Sequence, residues 1–372
     1  MTTASDQNFE GVDNPAMAPT PGWYEALRVS LFQFDPEEAH KLAIQFAPIA
    51  AGWIGKRVVD KRLRTSVAGL ELENPLGLAA GFDKNGHLTG CLSGFGFGFA
   101  EVGSITGQST GGNPKPRLFR LVDDEAVINR LGLNGDGADA ISDRLAKSQF
   151  SIPIGINIAK TNLPAINGEL AVQDMLHSFS SIKDLPVSFV TLNVSCPNTH
   201  EGILKETEEL DQILAGVSSL NSRGLPIFLK LSPDSSPTLL ESSVESANKF
   251  GVKGFILGNT TTARAGLVTA PARVTEMGMG GLSGPPLKSK ALDLVRNVYR
   301  LKSAEQIIIG CGGVSSGADA YEFIRQGASA VELYTALIYG GPDLPLRMLK
   351  ELLALLERDQ LDVQSAVGSA HR

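Results

Sequence analysis

The residue types able to do chemistry in this chain gather just behind short apolar runs. Gly81-Phe82-Asp83-Lys84-Asn85-Gly86 follows the run at 76–80, and Ser104 follows 99–103. Asn157, with Lys160 beyond it, ends the run at 152–157. Asn193-Val194-Ser195-Cys196-Pro197-Asn198-Thr199 ends 189–194, and Lys230 lies inside 227–231 between Leu229 and Leu231. Asn259-Thr260-Thr261 follows 254–258, while Gly312-Gly313 and Tyr334-Thr335 stand at the ends of 307–310 and 330–334. A site assembled from these ends holds amides, lysines, hydroxyls and one cysteine, with few carboxylates. Such a set binds planar, anionic, hydrogen-bonding ligands, and the glycine pairs allow a phosphate to meet backbone N–H groups. It does not suit glycoside hydrolysis, which needs a carboxylate pair. The five histidines are isolated, so no metal site is expected.

Cys196 is the candidate nucleophile or base. Lysines at the same mouth would lower its pKa from the usual ~8.5. The alternative is an inert, buried small residue, which is how Cys91 and Cys311 read. Lys230, enclosed by leucines within a strand, should face a barrel mouth or lumen and meet an anionic partner. The glycine-rich strings at 94–98 and 278–284 lack a dinucleotide fingerprint behind a strand, so a phosphate-bearing cofactor other than a nicotinamide is expected.

The elements that position these residues follow from periodicity. Eight strands are expected at the runs above, with helices at 172–182, 208–221, 238–250, 288–300, 318–325 and 344–357. Eight β/α units in 372 residues point to an α/β fold, a (β/α)8 TIM barrel, with active residues at the carboxyl ends of its strands. The stretch 104–150 reads as loops covering the mouth. Ahead of the barrel, Trp23, Leu27, Leu31 and Phe34 recur at helical spacing, and Asp35-Pro36-Glu37-Glu38 starts a second helix. Pro48 should kink or end it. The domains are thus a disordered tail at 1–20, a helical pair at 21–64 and the barrel at 65–372.

With 33 basic against 40 acidic residues, a nucleic-acid footprint is excluded. Three scattered cysteines suggest a reducing compartment. Residues 1–20 carry Asp6, Glu10 and Asp13 and no arginine, unlike a transit peptide or secretory signal. Both tryptophans, Trp23 and Trp53, lie in the helical pair, and Lys56, Arg57, Lys61, Arg62 and Arg64 follow. This segment reads either as helices packed on the barrel with a solvated basic face, or as an amphipathic membrane anchor.

The assembled strings resemble dihydroorotate dehydrogenase. They are Ala79-Ala80-Gly81-Phe82-Asp83-Lys84, Asn113-Pro114-Lys115-Pro116-Arg117-Leu118-Phe119-Arg120-Leu121, Ile128-Asn129-Arg130, Asn193 to Thr199, Asn259-Thr260-Thr261, Gly281-Leu282-Ser283-Gly284 and Leu333-Tyr334-Thr335-Ala336-Leu337. They run in family order from about residue 35 to the C-terminus. The resemblance implies an FMN enzyme that oxidises dihydroorotate to orotate in pyrimidine synthesis. By motif match, Ala79, Ala80, Gly81, Ser104, Asn157, Asn193, Lys230, Gly284, Gly313, Tyr334 and Thr335 would hold FMN. Lys84, Asn129, Asn193, Asn198, Asn259 and Thr260 would hold the substrate, and Cys196 takes the base position.

The helical pair resembles that of the membrane-associated, quinone-using class, where it forms a tunnel to the flavin. Arg120, Tyr334 and His40 match its quinone site. That implies ubiquinone or another membrane quinone as partner, peripheral contact through 21–64, and the cytoplasmic face of the cell membrane. In that class the base is normally serine; cysteine is typical of the soluble class, which uses fumarate or a nicotinamide-linked acceptor. The extension is the weightier feature, because one substitution exchanges a base whereas a helical pair is a whole element. The rival readings are the same oxidation with fumarate, and a non-catalytic barrel binding a phosphate-bearing ligand.

Overall fold

Asp35 starts a helix as its position before Pro36 suggests: its Oδ1 accepts from the backbone N–H groups of Glu37 and Glu38 at 2.9 and 3.2 Å. In the computed structural model, which describes residues 20–55, 57–194 and 207–372, this is α2 (Pro36–Ala51), preceded by α1 (Gly22–Leu31). Pro48 does not end α2, which runs on to Ala51. Pro48 gives up the hydrogen bond to the Ile44 carbonyl, but only three helical residues follow it, so the disturbance is confined to the helix end. The helix α1 docks by Tyr24, whose hydroxyl donates to the Ile338 carbonyl at 2.9 Å, and by Arg28, which donates to that of Tyr339. The expected tail falls almost wholly outside the described residues.

The strands are β1 (Thr65–Val67), β2 (Leu70–Leu72), β3 (Leu76–Asp83), β4 (Phe99–Ile105), β5 (Leu118–Leu121), β6 (Ala126–Asn129) and β7 (Ile154–Ile158). They continue with β8 (Phe189–Asn193), β9 (Ile227–Leu231), β10 (Gly254–Leu257), β11 (Gly281–Ser283), β12 (Ile307–Cys311) and β13 (Ala330–Leu333). A closed parallel barrel forms in the order β3-β4-β7-β8-β9-β10-β12-β13, with β13 pairing back onto β3. Its helices include α3 (Ala138–Leu145), α4 (Glu169–Ile182), α5 (Thr207–Leu220), α6 (Pro237–Lys249), α7 (Pro271–Met277) and α8 (Lys288–Leu301). After them come α9 (Gly317–Arg325), α10 (Thr335–Gly340) and α11 (Leu344–Arg358). All eight barrel strands lie where the apolar runs placed them.

Strand alternation divides the interior. Leu78, Val102, Ile156 and Leu229 face outward into the helix layer, while Phe99, Phe189, Phe228 and Ile256 fill the lumen at the amino end. Val67 and Leu72 of the β1–β2 hairpin close that end, so it is packed shut. Truncating one of these phenylalanines to Ala should cost about 3–5 kcal/mol.

The stretch 104–150 is more ordered than loops. It contains α3 and the β5–β6 hairpin, which β11 extends to a three-stranded antiparallel sheet over the mouth. The hairpin turns at Glu125, a left-handed position (φ 48°) where glycine or asparagine would have signalled a turn.

Candidate active site

The carboxyl ends of the barrel strands and the sheet above them enclose one cavity, about 1220 Å³ with the open solvent at its mouth. Of the expected residues, Ala79, Ala80, Gly81, Lys84, Ser104, Asn129, Asn193, Lys230, Asn259, Thr260, Gly284, Gly313, Tyr334 and Thr335 line it. Asn157 stands one hydrogen bond behind the wall. Lys160 is not among the lining residues; its Nζ donates to the Ile166 carbonyl at 2.9 Å. Cys196 and Asn198 lie outside the described residues.

A chain of side-chain hydrogen bonds crosses the floor. Asn259 Nδ2 donates to Asn193 Oδ1 (3.4 Å), Asn193 Nδ2 to Ser104 Oγ (3.1 Å), and Ser104 Oγ to Asn157 Oδ1 (2.5 Å). Asn157 Nδ2 then donates to Glu101 at 3.3 and 3.4 Å. Lys230 Nζ meets Glu101 Oε2 at 3.3 Å and Glu332 Oε2 at 3.5 Å. Lys230 therefore has the anionic partner expected of it, and the site is not poor in carboxylates as its loops suggested. Glu101 and Glu332 sit inside strands, two residues before Gly103 and Tyr334. Each is an isolated polar residue inside an apolar strand, and that was the only local sign of it in the sequence. Burial opposes charge on Lys230, but the two carboxylates overcome it and hold its pKa well above the ordinary value.

On one wall the backbone comes unusually close. Gly284 has φ +107°, and a Cβ there would lie 2.8 Å from the Glu125 carbonyl oxygen. Gly313 has φ +74°, and its Cβ would lie 2.7 Å from the backbone of Lys288, where α8 begins. Only glycine permits that left-handed backbone and close packing, and both glycines form a backbone cradle on the cavity wall. Thr335 Oγ1 donates to Ser283 Oγ at 2.8 Å beside it.

A family model for dihydroorotate dehydrogenase matches residues 62–356. The chain belongs to the dihydroorotate dehydrogenase family. It is 41% identical over 357 residues to the dihydroorotate dehydrogenase (quinone) of Gloeobacter violaceus, covering 93% of this chain and 99% of that one. The Natronomonas pharaonis protein of the same name is 40% identical over 358 residues, with the same coverage. Among solved structures, the dihydroorotate dehydrogenase of Eimeria tenella in complex with ferulenol superposes with a TM-score of 0.80 at 32% identity. That match covers 91% of this chain and 96% of that one. Its ligand-free form gives 0.80 at 34%, over 91% and 100%.

In this member of the dihydroorotate dehydrogenase family, the helical extension reaches the cavity through aromatic rings. His40 of α2 packs on Phe82, centroids 4.9 Å apart, and on Tyr334, which lines the cavity. His40 Nε2 lies 2.9 Å from the Phe82 carbonyl, which can only accept, so this nitrogen carries the proton. Burial drives the imidazole pKa down to about 4 and leaves it neutral. Arg120 has a different anchorage: Nη2 donates to the Phe34 carbonyl at 2.8 Å, and its guanidinium lies over the Phe32 ring. Arg117, not singled out for any role, binds Glu37 of α2 with two hydrogen bonds of 2.8 and 2.9 Å.

Proposed function

We propose that the chain oxidises dihydroorotate to orotate with bound FMN and passes the electrons to a membrane quinone. One observation carries the reading: an amide- and lysine-lined wall and a glycine cradle meet in a single cavity that the extension touches through His40 and Tyr334. The residues fit FMN. The Gly284 and Gly313 cradle suits its phosphate, and the cavity wall includes Thr260 Oγ1 and Glu332 Oε1, buried without a hydrogen-bond partner among the described residues. FMN, when bound, supplies a two-electron acceptor for hydride. Ala79, Ala80, Gly81, Ser104, Asn157, Asn193, Lys230, Gly284, Gly313, Tyr334 and Thr335 would hold it.

Lys84, Asn129, Asn193, Asn198, Asn259 and Thr260 would bind dihydroorotate, the lysine pairing with its carboxylate and the amides with its ring. Cys196, three residues beyond the end of β8, would take the C5 proton as general base. Arg120, His40 and Tyr334 would meet the quinone. Peripheral contact with the bilayer rests on exposed apolar side chains of the extension: Trp53 is 86% exposed, Ile49 63%, Trp23 and Phe46 54%. The basic cluster contributes less than its composition suggests, since Arg57 pairs with Glu73 and Arg62 with Asp60 and Glu357. Among the described residues no helix is long and apolar enough to cross a membrane.

Anaerobic mixing of the yellow protein with dihydroorotate tests the reading. Flavin absorbance should bleach and return on adding a short-chain ubiquinone. Return with fumarate alone would move the acceptor to the soluble class. A colourless protein that FMN cannot reconstitute would leave a binding barrel without this chemistry.

A further inference from the structure

Asn259 and Thr260 line the cavity, but the carboxylate that holds their loop is not part of its wall. Asp234 lies three residues beyond β9, and its own backbone N–H is fixed by Ser232 Oγ at 3.1 Å. Its Oδ1 accepts from Thr261 Oγ1 and from Lys290 Nζ, both at 2.7 Å. Its Oδ2 accepts from the Thr262 backbone N–H at 2.8 Å and from Thr262 Oγ1 at 3.2 Å. Three of these four donors belong to the two residues directly behind Asn259 and Thr260. Thr261 is buried, and it exchanges two backbone hydrogen bonds with Leu282 of β11, at 2.7 and 3.0 Å. The loop 259–262 is thereby tied both to Asp234 and to the sheet over the mouth.

The tie reaches the cavity through Asn259. Its Oδ1 accepts from the Thr260 backbone N–H at 2.8 Å, and its Nδ2 donates to Asn193 Oδ1 at 3.4 Å. Thr260 packs directly on β11, where a Cβ on Gly281 would run into its Oγ1. Any turn of the loop therefore carries the Asn259 amide with it. We infer that Asp234 is a positioning residue for the substrate: it fixes the loop 259–262 so that the Asn259 amide meets the dihydroorotate ring in one orientation. The inference rests on the substrate proposed above. The position requires a carboxylate, because every partner is a donor and both oxygens accept. An amide at 234 would aim an N–H at a donor whichever way it turned. Burial opposes the charge, but the hydrogen bonds from Lys290 and Thr261 hold the carboxyl below its ordinary value.

Flavin bleaching by dihydroorotate, followed in the holoprotein by anaerobic stopped flow, separates substrate capture from chemistry. Asp234→Asn should raise the half-saturating concentration about tenfold while the limiting rate changes less than about threefold, because a misplaced amide weakens ground and transition states alike. FMN content should stay at the wild-type level. Thr261→Val removes only the Oγ1 donor and should raise the half-saturating concentration about fivefold. Lys290→Met removes the ammonium but keeps the three bonds between the loop and Asp234, so it should stay within about twofold of wild type. Wild-type capture in Asp234→Asn would overturn the inference. So would a tenfold loss in Lys290→Met, which would make charge pairing rather than the loop the source of the effect.

A double-mutant cycle distinguishes positioning from a merely structural role. Asn259→Ala removes the amide that Asp234 positions, so adding Asp234→Asn to it should cost less than about threefold more. A further tenfold loss, with the two effects multiplying, would show that Asp234 acts independently of Asn259 and would overturn the inference. If Asp234→Asn does not fold, Thr261→Val in the same cycle decides the question by the same criterion. Absence of bleaching in wild type would instead sink dihydroorotate as the substrate, and with it the role of Asp234 toward that ligand.

Discussion

The imidazole of His40 stacks on the phenol of Tyr334, ring centroids 6.5 Å apart and planes 11° from parallel. Phe82 packs edge-on against both, at 4.9 and 5.3 Å. Tyr334 belongs to the cavity wall and His40 to the extension, so this stack joins the extension directly to the cavity wall. Under the proposed function, an acceptor lying among the helices would come nearest to the cavity at this contact.

Replacing His40 by Ala should therefore separate the two half-reactions. The lost ring contact, worth about 1 kcal/mol, should slow flavin reoxidation by quinone roughly fivefold to tenfold. Bleaching by dihydroorotate should stay within about twofold of wild type. Stopped-flow absorbance reads both. Equal loss in both halves would show that His40 supports the barrel rather than the acceptor path.

Lys84 should impose an alkaline limit on substrate capture. Burial, partly offset by Glu37, brings its pKa down to about 8. The cation is complete well below that value and is lost as pH rises through it. For an anionic substrate, kcat/KM should fall tenfold per unit above pH 8, whereas kcat falls later, because the bound carboxylate stabilises the ammonium. Lys84→Met should abolish the limb and cost about 2 kcal/mol, roughly thirtyfold in kcat/KM. A profile flat to pH 10 in wild type would remove Lys84 from the substrate site.

The Glu37–Arg117 pair ties α2 to the chain entering β5, with side-chain exposures of 13% and 8%. Glu37→Ala would leave the guanidinium only the carbonyls of Gly111, Asn113 and Leu131, without a counter-charge, and should destabilise by about 3 kcal/mol, several degrees in melting temperature. Arg117, through its hydrogen bonds, holds the Glu37 carboxyl below its ordinary 4.5. The pair's contribution is full above that value and declines as pH falls through the lower folded one. Wild type should thus lose stability on acidification faster than Glu37→Ala, in thermal melts at several pH values. Parallel curves would contradict this.

Cys196 as base predicts that Cys196→Ala binds FMN normally but slows flavin bleaching about 10²- to 10⁴-fold. Cys196→Ser should move the pH dependence of bleaching upward, because a hydroxyl gives up its proton far less readily than a thiol of pKa ~8.5. An unshifted profile in the serine variant would mean that another group takes the proton.

Local signals in the sequence were sufficient for the eight barrel strands, the capped start of α2 and most of the cavity wall. Short apolar runs ending in Asn157, Asn193 or Asn259 are read within a few residues, and in a barrel every strand end converges on one mouth. Other features depended on partners far along the chain. Leu282 pairs with Ile128 across the mouth, from a segment that reads as a glycine-rich loop. Glu101 and Glu332 look like isolated polar residues within apolar strands until barrel closure brings both to Lys230, 129 and 102 residues away. The contacts of His40 with Tyr334 and of Glu37 with Arg117 arise only once α2 lies against the barrel. Charge pairing, lid strands and the junction with the extension are long-range and have no periodicity of their own, so the tertiary structure alone decided them.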